Sequence, residues 1–194
     1  MLYTYQTKEA YRRLTESGRL AITEGERGFT LAERDGWQDC AAHAYEYMKK
    51  EMVRALGEPP EDVVYPIWAW YKWEGGRAPT AEHDKSYAGM IRITFRVDRR
   101  RVLLSDFDLF TVYCMGNMAI PLDGEESEAV YAMPPEVSRS ELYKYYKKAT
   151  WERIFRMDVR GDGYVFDGVK SRSVQATLWE LRAEQIVEAV EIPG

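Results

Sequence analysis

The chain has 194 residues, 45% of them hydrophobic and 30% charged, with a net charge of −5. That length allows a sizeable core within one domain over residues 1–194, and the balance is that of an ordinary globular protein rather than a disordered or fibrous one. No run approaches a membrane span, the opening MLYTYQTKEAYRR lacks the apolar core of a leader peptide, and the acidic balance weighs against a general nucleic-acid binder, so a cytoplasmic protein with no membrane partner is expected.

In chain order, Leu2 to Gln6 reads as a short strand. Thr7 is the N-cap of a helix from Lys8 to Ser17, its hydroxyl satisfying an early N–H, and Gly18 ends that helix. Tyr11 and Leu14 are expected to face inward, Leu20 to Ile22 to be extended, and Glu24 to Gly36 to be a polar loop. From Trp37, the residues Trp37, Ala41, Ala44, Tyr45, Met48, Met52 and Leu56 recur at steps of three and four, the period of an amphipathic helix, which Gly57 and Pro59-Pro60 stop.

Val63 to Trp73, VVYPIWAWYKW, is the densest aromatic stretch. If extended, it places Ile67, Ala69, Tyr71 and Trp73 on one face and Trp68, Trp70 and Lys72 on the other, both largely apolar. Such a strand belongs inside its sheet, or between a helix on one face and a ligand cleft on the other. Gly75 to Ala88 is polar and irregular, and is expected to be a flap over whatever Trp68 and Trp70 border. Met90 to Val97 alternates as a half-buried strand, Asp98 to Arg101 is a charged turn, and Val102 to Leu104 is strand-like. Ser105 with Asp108 forms a capping box for a helix through about Asn117. Pro121 to Pro135 reads as a loop. Ser138 with Glu141 opens a helix carrying Leu142, Tyr145, Tyr146 and Ala149, and Thr150 to Phe155 forms a separate short helix. Asp158 to Gly168 is hairpin-like, Ser173 to Leu181 alternates, and Ile186 to Ile192 is the last strand.

Several patterns suggest chemistry. Asp106-Phe107-Asp108 after an apolar strand resembles the first motif of haloacid-dehalogenase-type phosphatases, where paired aspartates hold magnesium; helix capping explains the same residues without a reaction. YKYYKK at Tyr143 to Lys148 interleaves aromatics with lysines, as a base-stacking nucleic-acid face does, although the net charge does not support one and a solvated helix face explains it equally. Glu152 is a candidate acid, and Arg92 and Arg96 are candidate phosphate ligands. Two cysteines do not make a disulfide framework, two histidines weigh against Ser-His-Asp or Cys-His catalysis, and Cys40 with His43 lacks the second pair a zinc site needs, so no metal is expected.

LYTYQTKEAYRRLTESGRL, YPIWAWYKWEG, RVLLSDFDLF, ATWERIF and VQATLWELRAEQIVEAV together resemble the successive blocks of a bacterial family catalogued as domain of unknown function 3841. More loosely, a strand followed by a helix ending in Gly-x-Leu is similar to the opening of ADP-ribosyltransferase-like families, whose first strand helps bind NAD. Tyr3 to Gln6 and Gly18 to Leu20 occupy those positions. Val174-Gln175-Ala176-Thr177 looks like the Gln-Ala-Glu block of the related DNA-modifying toxins, with Thr177 where the catalytic glutamate would stand and Tyr5 or Gln6 where histidine is often found. Glu180 or Glu152 is then the candidate replacement carboxylate.

The expectation is an α+β protein with a central, mostly antiparallel sheet flanked by helices, ADP-ribosyltransferase-like in outline. The resemblance implies a nucleotide cleft for NAD bordered by Thr4, Gln6, Trp68 and Trp70, with Glu152 and Gln175 as catalytic candidates for a glycosyl or ADP-ribosyl transfer. The alternatives are a non-catalytic binding or interaction protein that uses the aromatic strand, and a metal-dependent phosphohydrolase using Asp106 and Asp108.

Overall fold

The computed structural model describes residues 1–24, 38–157, 165–166 and 169–194. Strand β1 (Leu2–Gln6) leads into helix α1 (Lys8–Ser17), where the Thr7 hydroxyl accepts from the Ala10 N–H and Gly18 closes the last turn at φ 76°. Two short strands follow, β2 (Arg19–Leu20) and β3 (Ile22–Thr23). Helix α2 (Gln38–Leu56) buries Ala44, Met48 and Met52 completely, the stripe its period predicts. Trp37, and the loop expected over 25–36, lie outside the described residues.

The aromatic stretch divides at Pro66, which has no N–H to give a ladder. Strand β4 (Val63–Tyr65) pairs with β3, while β5 (Ile67–Lys72) enters the main sheet. Then come helix α3 (Ala81–Lys85), β6 (Ile91–Phe95) and β7 (Leu103–Asp106). Helical turn α4 (Phe107–Leu109) continues as a π-turn over Phe110–Cys114. Helices α5 (Gly124–Tyr131), α6 (Pro135–Ser138) and α7 (Glu141–Thr150) are followed by a 3₁₀ turn at Trp151–Phe155. The pair β8 (Val165–Phe166) and β9 (Val169–Lys170) precedes β10 (Val174–Leu178), β11 (Leu181–Arg182) and β12 (Ile186–Glu191).

Six strands form one sheet in the order β12-β6-β1-β5-β10-β7, every neighbouring pair antiparallel, so the fold is α+β. One face, with Ile67, Ala69, Ile93, Phe95, Val174 and Ala176, packs under Leu14 of α1. The other is covered in two patches. Met48 and Met52 of α2, Phe110, Trp151 and Ile154 gather around one, with Trp68 packed against them. Tyr3, Tyr5 and Ile192 form the second, with Trp70, Trp73 and Tyr87 against them. Strand β5 is thus an inner strand with both faces covered, and each large apolar side chain so buried stabilises the fold by ~1.5–3 kcal/mol.

Several expectations are corrected. Between Val174 and Gln175 the register moves from Lys72 to Trp70, an extra residue on β5 that disturbs the alternation and puts Trp73 beside Trp70 rather than with Ile67. The cap of α4 is Asp106, whose carboxylate accepts from the Leu109 N–H, and the cap of α7 is Ser140, not Ser138. The stretch Pro121 to Pro135 is not all loop: Asp123 caps α5, and Glu125 and Glu126 in its first turn suit the positive end of the helix dipole. On α7, Leu142 and Tyr145 point to solvent at 79% and 76% exposure, because that helix turns Lys147 and Thr150 inward instead. Finally, the polar stretch after β5 contains α3, whose His83 is buried.

Candidate functional site

Strand β1 pairs with β6 at all five of its residues, and β5 pairs with β10 at five positions. Between β1 and β5 there is a single backbone pairing, Tyr3 with Trp70. Past it the ladder stops and side chains take over: the Thr4 hydroxyl donates to the Trp68 carbonyl at 2.8 Å, and the Gln6 amide donates to the Thr4 oxygen at 2.9 Å. A cavity of about 490 Å³ lies in this wedge, with residues 4–7 on one side and 67–70 on the other. Helix α1 forms part of its rim, and Tyr45 of α2 and Phe110 of the π-turn close it from the other face of the sheet.

Thr4, Gln6, Trp68, Trp70 and Gln175 all line this one space. Gln175 is 5% exposed, and its amide donates at 3.0 Å to the hydroxyl of Ser105, which is itself fully buried. The aromatic walls brace one another edge to face: Tyr45 with Trp68 at 5.4 Å between ring centres, and Trp70 with Phe107 at 4.7 Å. Tyr5 and Tyr87 stack at 3.8 Å. Burial raises the Tyr45 and Tyr87 phenols above their ordinary value, so both are neutral at physiological pH. The interior therefore offers flat aromatic surface, amides and hydroxyls, with Glu9 and Arg13 at the exposed mouth. Such a lining can hold a planar heterocycle and hydrogen-bond its edges.

The remaining candidates are placed elsewhere. Glu152 is exposed on the 3₁₀ turn, 3.6 Å from Arg156, and does not line the cavity. Thr177 is fully buried and donates to the Leu103 carbonyl at 3.3 Å, so the position that the resemblance gives to a glutamate is packed core. Glu180 is buried beneath Arg19, Arg101 and Arg182 at 2.7, 3.0 and 2.8 Å. Burial alone would raise its pKa, but the three guanidiniums prevail and hold it below the usual carboxylate value. Asp106 is a cap and Asp108 accepts from the Ser171 hydroxyl at 2.7 Å; among the described residues no group of three His, Cys, Asp or Glu could hold a metal. Arg92 pairs with Asp84 and Glu188. Lys147 of YKYYKK is buried against Asn117 at 2.6 Å.

Sequence reasoning missed Tyr45, Ser105 and Phe107 as site residues. Tyr45 reads as one more member of a core stripe, and Ser105 and Phe107 are absorbed by a capping motif. Only the strand pairing, which brings β7 beside β10 with Ser105 opposite Gln175, reveals Ser105, and only the packing of Tyr45 on Trp68 and of Phe107 on Trp70 reveals the other two.

The chain belongs to the family described as Domain of unknown function (DUF3841), whose model matches residues 1–187. No curated protein and no solved structure matches it. No described helix is long and apolar enough to cross a membrane.

Proposed function

We propose that this protein binds a nucleotide of the NAD type in the wedge between β1 and β5. What carries the reading is that Thr4, Gln6, Trp68, Trp70 and Gln175, drawn from three strands far apart in sequence, border one cavity of about 490 Å³. That volume falls within the ~300–1,000 Å³ of small-molecule sites. Trp68 and Trp70 supply ring faces for a base, while the Thr4, Gln6 and Gln175 side chains supply polar contacts to its edges or to ribose. The Ser105 hydroxyl and the Trp68 carbonyl fix Gln175 and Thr4 before a ligand arrives, which lowers the entropic cost of binding.

Binding is favoured over turnover. Transfer from a glycosidic bond needs a carboxylate close to the positive charge that develops on the ribose. Glu9, at the rim, is the only carboxylate among the described lining residues, and Gln175 can orient a ligand but cannot supply that charge. Titration with NAD, ADP-ribose and ATP by tryptophan fluorescence tests the reading, with nicotinamide release followed in parallel. NAD is expected to bind, Trp70→Ala and Gln175→Ala to weaken it by about tenfold or more, the loss of roughly one good contact, and Glu152→Gln to leave it unchanged. Absence of binding by all three nucleotides at about 1 mM would refute the proposal.

A further inference from the structure

The segment between β5 and β6 covers the outer aromatic wall of the cavity and carries two of its lining residues, Tyr87 and Met90. Gly75 and Gly89 bracket it at φ 80° each, a conformation glycine adopts without strain. From 74 to 90 a single residue is buried, His83, at 3% exposure. Its ring lies flat on Trp73, with centres 4.1 Å apart, and meets Tyr3, Tyr5, Trp70 and Tyr87 edge to face at 5.9, 5.3, 5.2 and 5.4 Å. Three of those five rings, Tyr5, Trp70 and Tyr87, also form the cavity wall. The segment's other ties include Asp84, which accepts from the Tyr5 hydroxyl at 2.7 Å and pairs with Arg92, Arg77, which donates to the Tyr71 hydroxyl at 2.8 Å, the Gly75 N–H to the Arg172 carbonyl at 2.9 Å, and two backbone bonds at the far end, Gly89 N–H to the Ile192 carbonyl and Ile192 N–H to the Met90 carbonyl, each at 2.9 Å.

We propose that residues 74–90 form a lid over the cavity, docked by the neutral imidazole of His83 in its aromatic cage, and that protonation of His83 releases the lid and with it the ligand. Of the charged and titratable groups around the cage, Asp84 favours an imidazolium, and burial outweighs it. From β1 come the Tyr3 and Tyr5 phenols, from the lid itself Tyr87 and Asp84, from β6 Arg92, and from β12 Glu188 at 3.7 Å from Arg92; Trp70 of β5 and Trp73 just past its end bring no charge. Asp84 is the one nearby carboxylate, and its two oxygens are already taken by Tyr5 and Arg92. The Trp73 face offers a cation some attraction, but the ring has lost its water. Tyr3 Oη lies 3.3 Å from His83 Nδ1, where the phenol can donate to a neutral ring or accept from Nδ1–H, so what opposes a charged ring is its burial among the five aromatic rings. Burial lowers the His83 pKa below its ordinary 6.5, in the same sense.

The sign follows from linkage. The docked lid binds fewer protons than the released one, so docking is at full strength above about pH 6.5 and weakens by up to about tenfold per pH unit below it. Hydrogen exchange of the full-length protein, corrected for intrinsic rates, should show 77–89 opening about tenfold more at about pH 5.5 than at about pH 7.5, while β5 and β10 stay protected. His83→Phe keeps the aromatic packing and removes the titration, so its lid should stay protected at both pH values. Should that variant fail to fold, nuclear magnetic resonance titration of His83 in His43→Gln still decides, because opening must track its protonation. Equal lid protection across the range in the wild type, or an unchanged acid response in folded His83→Phe, overturns the lid. Its link to a ligand rests on the nucleotide reading: NAD should bind about tenfold more weakly at about pH 5.5, and not so in His83→Phe. Failure of NAD to bind at any pH, with the exchange result intact, refutes the nucleotide reading and supports the lid alone.

Discussion

Replacing Glu180 by glutamine separates a structural carboxylate from a catalytic one. The side chain is 4% exposed and receives three guanidiniums, those of Arg19, Arg101 and Arg182, which are 29%, 52% and 46% exposed. Removing one partner of a fully buried ion pair costs ~3–5 kcal/mol because the other charge is stranded. Here the arginines regain water from the open side and glutamine still accepts hydrogen bonds, so the expected loss is smaller, ~2 kcal/mol. With a urea slope of roughly 2 kcal/mol/M, the unfolding midpoint should fall by about 1 M. The effect should depend on pH with a definite sign. Glu180 titrates below its ordinary value of 4.5, so its contribution is complete above that pH and disappears as pH falls through the folded-state value, where wild type and Glu180→Gln converge. A midpoint shift under roughly 0.2 M at neutral pH would mean that the cluster behaves as exposed ion pairs do, and would refute this reasoning. Loss of a measured turnover with stability intact would make Glu180 the missing carboxylate after all.

Two further substitutions probe the wedge and the aspartate pair. Thr4→Val strips the Trp68 carbonyl and the Gln6 amide of their shared partner, so stability should drop by ~1–2 kcal/mol in urea unfolding and NAD affinity should fall, while Thr4→Ser restores both. Asp106→Asn keeps an equally good N-cap and should change stability by no more than ~0.5 kcal/mol, whereas Asp106→Ala should cost ~0.5–2 kcal/mol; abolition of a magnesium-dependent phosphatase activity by Asp106→Asn would instead favour the hydrolase alternative.

Local signals were legible where one residue type performs one physical task. Thr7 and Gly18 frame α1 at the residues read from the chain, since a hydroxyl before a helix and a glycine after it satisfy groups that nothing else nearby can. The stripe Ala44, Met48, Met52 was equally plain. The signals misread are those where two neighbours can do the same task. Ser105 and Asp106 can both cap α4, as Ser138 and Ser140 can both open α7, and only the strand end or helix register decides. The bulge at Tyr71 leaves no mark in the sequence because it is a property of the pairing with Val174 and Gln175. His83 was passed over for a related reason: in a polar stretch a lone histidine looks like any surface residue, and its five aromatic neighbours come from β1, β5 and its own segment.

The position of the cavity follows from the same pairing logic. An inner strand of an antiparallel sheet ordinarily gives its backbone groups to two neighbours along its whole length. Strand β1 does so toward β6 but stops at Tyr3 toward β5. Closing the wedge would require Thr4 to give up its bond to the Trp68 carbonyl, and would press β1 and β5 together where Leu20 to Ile22 stand on one side and Tyr45 and Phe110 on the other. Those side chains act as props: a close-packed interior resists a shift of that size. Along the wedge the strand edges must be satisfied by side chains, water or ligand, since an unmet buried group costs ~1–3 kcal/mol. A purely hydrocarbon ligand would displace that water and return nothing to those groups. A heterocycle with amide and ribose groups can stack on the tryptophans and meet the strand edges at once, which is the ground on which a nucleotide, rather than a lipid or an apolar metabolite, is proposed.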